Sequence, residues 1–138
     1  MNIVEVTGGK KYQREIAEKV VHFMIDKLMP RVRTLEIAVE IKPLKGDAYG
    51  WCLMCDDKGK EFELEIRNNL PLKDFITTIC HEMVHVKQYY RKEMDDTGMR
   101  WKKGKVAKKT DYLDLPWEKE AYRLQDKLGQ MVWDENVV

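Results

Sequence analysis

The chain has 138 residues, the size of one compact domain. Its 25 basic and 24 acidic residues leave a net charge of +1, which argues against a generally basic nucleic-acid protein. It contains no run of ~18 apolar residues, so a membrane-spanning helix is not expected.

Residues 1–10 lack the apolar centre of a secretion signal. The three cysteines, Cys52, Cys55 and Cys80, are too few for a disulfide framework and suit a reducing compartment. The expectation is a cytoplasmic single domain over residues 1–138, without membrane association.

Residues 10–29 read as a helix, because Tyr12, Ile16, Val20, Phe23 and Met24 recur at helical spacing, and Pro30 stops it. Residues 34–41 alternate, with Leu35, Ile37, Val39 and Ile41 on one face and Glu36 and Glu40 on the other. That is a half-buried strand. Residues 49–55 are apolar on both faces, which suits a more central strand. A turn at 56–59 leads into residues 62–67, where Phe62, Leu64 and Ile66 alternate with charged residues. The two strands form a predicted hairpin.

Pro71 then opens a helix to about Glu93, with Asp74 complementing its positive end. Residues 94–114 read as irregular. Pro116 opens a last helix that buries Trp117, Ala121, Leu124 and Leu128, with Gly129 as its expected terminator. The order predicts an α+β domain: an N-terminal helix, a three-stranded, mainly antiparallel sheet, and two further helices.

The helix over 71–93 carries His81-Glu82-Met83-Val84-His85, an HExxH motif. Residues four apart share a helix face, so two imidazoles there can hold one zinc ion. Glu82 is turned about 100° from His81, placing it to take a proton from a water on the metal. A catalytic zinc has three protein ligands as a rule. His22 sits on the first helix and reads as an ordinary structural histidine. The third ligand is therefore sought among the acids of the last helix, Glu118 and Glu120. Both flank that helix's apolar stripe, and a helical wheel does not choose between them.

At this point the chain resembles a small gluzincin metallopeptidase. Residues 78–90 (TICHEMVHVKQYY) and 115–122 (LPWEKEAY) are similar to phage and bacterial proteins of the SprT-like and minigluzincin type. The resemblance implies a zincin-like fold with a sheet edge over the HExxH helix. It also implies a glutamate helix of the form Glu-x-x-Ala-Asp, whose first Glu binds the metal. Glu118 and Ala121 match that form, and the family pattern favours Glu118 over Glu120. Tyr122 stands where the Asp would orient a zinc histidine. No histidine follows His85, unlike in SprT-like proteases.

What the resemblance implies is a zinc metallopeptidase acting on a peptide or protein, with metal ligands His81, His85 and Glu118 and Glu82 as general base. The substrate would lie extended along the strand over 62–67, and Tyr112 or Tyr122 would donate to the oxyanion. The competing readings are a non-catalytic or autoinhibited zinc-binding module, with residues 131–138 over the cleft, and a DNA-associated protein. The last would use residues 100–109, which hold six basic residues, no acid, and Trp101 for base stacking. Cys52 and Cys55 read as small core residues, since a strand points them to opposite faces. The sequence sets no oligomeric state.

Overall fold

The computed structural model describes residues 1–94, 100–102, 104–105, 112 and 115–138, with the backbone alone at 100, 104 and 105. Among these residues the elements are β1 (Ile3–Gly8), α1 (Lys11–Leu28), β2 (Glu36–Lys42), β3 (Gly50–Met54), β4 (Glu61–Arg67), α2 (Leu72–Tyr90), β5 (Arg100–Trp101), β6 (Gly104–Lys105) and α3 (Pro116–Asp134). The α+β expectation holds.

The sheet differs from the expected one. It has four strands in the order β1-β2-β4-β3. Two of its three pairings, β1 with β2 and β2 with β4, are parallel, and only the β3–β4 hairpin is antiparallel. The first strand went unread, although Val4 and Val6 alternate with Glu5 and Thr7. It pairs parallel with β2 because α1 forms a crossover between them. Gly8 ends it at φ 77°, so close to Ile41 that a Cβ would stand 2.1 Å from that carbonyl oxygen.

The central position expected for 49–55 also falls to its neighbour. β4 inserts between β2 and β3, and β3 becomes the sheet edge. The burial patterns explain the exchange. β4 buries Phe62, Leu64 and Ile66, whereas β3 leaves Trp51 and Leu53 exposed.

α1 packs on β1 and β2, and α2 on β3 and β4, with their apolar residues in one core. Ile37, Val39 and Ile41 of β2 face α1 and α2, joined by Ala17, Val20, Met24, Ile76, Ile79 and Met83. Each of these valine, isoleucine and methionine side chains, fully buried, stabilises the fold by about 1.5–3 kcal/mol. α3 packs on α2. Gly129 does not end it; the helix runs to Asp134, and the missing side chain lets α3 approach Thr77, whose Oγ1 would stand 3.3 Å from a Cβ. Val132 is buried, and Met131 and Val137 pack on the core, so this segment belongs to the fold. Among the described residues no helix is long and apolar enough to cross a membrane.

Candidate metal centre

α2 is buried along most of its length, including both histidines. It has helices α1 and α3 on its flanks and β3 and β4 against it. The four-residue spacing brings the His81 and His85 rings edge to face, with centroids 4.9 Å apart. α3 begins with Pro116, which sets Glu118 in the helix's first turn and against α2.

Three acceptor atoms converge there. Glu118 Oε1 lies 3.0 Å from His81 Nε2 and 3.2 Å from His85 Nε2, and the two Nε2 atoms are 3.2 Å apart. All three residues are at most 7% exposed. Ligands about 2.0–2.1 Å from a tetrahedral zinc lie about 3.3–3.4 Å from one another. The triangle is thus close to one face of a coordination tetrahedron. This buried His81–His85–Glu118 group is suited to a metal ion.

The tautomers reinforce that. His81 Nδ1 donates to Gln125 Oε1 at 2.8 Å, and His85 Nδ1 to Gln88 Oε1 at 2.7 Å. The orientation of the Gln88 amide is fixed by its nitrogen, which donates to the Trp117 carbonyl and to Glu120 Oε1. A proton on each Nδ1 leaves both Nε2 lone pairs aimed at the Glu118 oxygen. Such an arrangement is repulsive without a cation in its middle. A proton on His85 is the smallest cation that serves. Against burial, which lowers it, hydrogen bonding to Glu118 raises the His85 pKa. Against burial, which raises it, hydrogen bonds from His81 and His85 hold the Glu118 carboxyl at about 2.

Glu120 is turned elsewhere. It accepts from Lys87 Nζ at 3.0 Å and from Gln88, and Lys87 also binds Glu93 at 2.7 Å. Packing separates the two acids that the helical wheel left side by side: Glu118 meets both imidazoles and Glu120 does not. His22 is exposed on α1, away from the group. Tyr122 packs edge-on against His81, with ring centroids 4.7 Å apart. The orienting partner comes from Gln125, one turn further along α3. Gln88 and Gln125 were missed in the sequence. Their spacing, three after His85 and seven after Glu118, is shared by too many surface glutamines to single them out.

Glu82 is 6% exposed, and its carboxyl pKa is raised by burial and by Glu118, against the two histidines. Gly50 of β3 lies over it: a Cβ there would stand 2.9 Å from Thr78 Cγ2 and 3.2 Å from Glu82 Oε2. A cavity of about 470 Å3 opens beside them between β3, α2 and α3, lined by His81 and Glu82 among others. Tyr112 and Tyr122 both line it. Partial burial, then Glu118, pushes the Tyr112 hydroxyl pKa well up, so it stays a donor.

The strand over 62–67 cannot take an added strand, since β4 is paired on both sides. The free edge next to α2 is β3. Cys52 packs partly buried against the core near Glu82, but Cys55, just past the end of β3, is exposed, so only one of the pair is the small core residue expected. Much of the basic run 100–109 lies outside the described residues. Within them, Trp101 leans on Trp117 at 6.4 Å, with Lys102 Nζ over its ring at 5.3 Å. Comparison with protein-family models, curated proteins and solved structures finds no match.

Proposed function

We propose that the chain is a zinc-dependent metallopeptidase of gluzincin type, with His81, His85 and Glu118 as ligands. The observation that carries this reading is the convergence of two Nδ1-tethered imidazoles and one carboxylate oxygen within 3.2 Å, beside a buried glutamate. The His/His/Glu donor set fits zinc, which favours nitrogen and oxygen at this spacing. The HExxH helix beneath a free sheet edge agrees with the zincin-like fold.

Zinc, when bound, supplies a Lewis acid that makes water nucleophilic near neutral pH. Glu82 takes one proton from the attacking water as its oxygen bonds to the peptide carbonyl carbon. The raised pKa of Glu82 suits it to hold that proton and pass it to the leaving nitrogen as the C–N bond breaks. Tyr112 and Tyr122 present hydroxyl donors to the oxygen on which charge develops. β3 offers its unpaired edge to an extended peptide.

The test is zinc per chain in protein purified without an immobilised metal, together with cleavage of unfolded casein. One zinc and chelator-sensitive cleavage are expected, with Glu82→Gln keeping zinc and losing turnover. A folded chain that neither holds nor takes up zinc would overturn the metal centre. Zinc without cleavage would favour the non-catalytic module instead.

A further inference from the structure

The cavity beside the metal centre has an unbalanced lining. Three carboxylates face it, Asp47, Asp74 and Glu82, and among the described residues no lysine or arginine does. Among the described residues, no cation pairs with Asp47 or Asp74, and no hydrogen bond reaches the Glu82 carboxylate, which is only 6% exposed. Among the described residues no fully buried side-chain oxygen lacks a partner, so the Glu82 oxygens open on the cavity, where an occupant can reach them. Tyr49 and Trp51 supply aromatic walls and are each 52% exposed.

The outer face of the sheet adds to the same sign. Glu36 stands directly opposite Glu61, and Glu40 opposite Glu65, which is next to Trp51 on β3. Lys42 alone among the described lysines and arginines bridges Glu40 and Glu65. Like charges side by side on a sheet weaken it, so this face is kept acidic at a cost. A cation approaching the cleft therefore moves down a negative potential.

We propose that this cleft selects peptides by a lysine or arginine side chain, held against the carboxylates of Asp47 and Asp74 with its stem on Tyr49 and Trp51. The proposal deepens the peptidase reading and rests on it for a peptide as the occupant. The two parts of the recognition are separate. The carboxylates supply the charge preference. The aromatic faces attract both the alkyl stem and the cation. A polyanion is disfavoured for the same reason, which sets this cleft against a nucleic-acid strand.

The test is equilibrium binding of short, end-capped peptides that differ at one position, lysine against norleucine against glutamate. The Glu82→Gln chain is used, so that peptides remain intact and Glu82 adds no charge. Lysine is expected to bind about tenfold tighter than norleucine, the sum of two exposed to half-buried ion pairs. Glutamate should bind weakest. Asp47→Asn/Asp74→Asn in that background should bring lysine down to norleucine and leave norleucine unchanged. About 1 M NaCl, with its Debye length near 3 Å, should shrink the preference likewise. Both aspartates are at or near the surface, so the double variant should fold.

Equal affinity for lysine and norleucine would overturn the proposal, as would a preference that survives the double substitution. Absence of binding by all three peptides would overturn it too. Missing zinc or missing turnover in the parent chain strikes the peptidase reading alone, because this comparison needs neither.

Discussion

Replacing Gln88 with leucine tests the centre from outside its ligands. Gln88 is fully buried and makes three hydrogen bonds: it accepts from His85 Nδ1 and donates to Trp117 O and Glu120 Oε1. Leucine fills a similar volume and makes none. It leaves the His85 Nδ1–H buried without a partner, at ~1–3 kcal/mol, while the Trp117 carbonyl keeps its bond within α3. Leucine's own apolar burial offsets part of this, so we expect ~1–2 kcal/mol lost from folding stability. The imidazole also loses what fixes its tautomer. Outer partners of this kind are worth about 10–100-fold in metal affinity, or ~1.4–2.7 kcal/mol.

The assay is competitive zinc titration against a colour-changing chelator, beside urea unfolding in excess chelator. Gln88→Glu is the informative companion. It keeps an acceptor for Nδ1 but sets a carboxylate against Glu120. It should lose stability while holding zinc at least as tightly as the parent. Unchanged zinc affinity in a folded Gln88→Leu chain would refute the reasoning and reduce Gln88 to a packing residue.

Glu118→Gln should weaken zinc by more than the ~100-fold that outer partners reach, whereas Glu120→Gln should keep zinc and lose stability at Lys87; equal loss of zinc from both, by metal analysis, would contradict the geometry. Gly50→Ala places a Cβ within 3.2 Å of Glu82 Oε2 and 2.9 Å of Thr78 Cγ2. It should cost ~1–3 kcal/mol in a thermal melt and lower casein turnover with zinc retained; full turnover would show the cleft to be roomier than described. Cys80 is fully buried, and burial pushes its thiol to about 12. A thiol reagent at mildly alkaline pH should therefore modify exposed Cys55 in the native chain and reach Cys80 only on unfolding. Rapid native labelling of Cys80, mapped by mass spectrometry, would argue against the packing of α2.

What the sequence determined by itself is local. Helical spacing in α1 and α2, the alternation in β2 and β4, the proline at the start of α3 and the HExxH pair all follow from periods of 3.6 and 2, which are properties of a few neighbouring residues. Gly129 misled because a glycine that ends a helix and one that admits a neighbouring helix look alike in sequence. Strand order was not legible either. Whether β3 or β4 lies inside depends on which apolar face finds partners across the sheet, and α1 decides that β1 is parallel to β2. The candidate site divides the same way. His81, Glu82 and His85 share one helix and were readable from it. The meeting of Glu118 with both imidazoles, the turn of Glu120 toward Lys87, and the two glutamines that aim the rings all depend on how α3 lies against α2. That is a contact between segments more than thirty residues apart, set by packing around Gly129 and Ala121, and no local period encodes it.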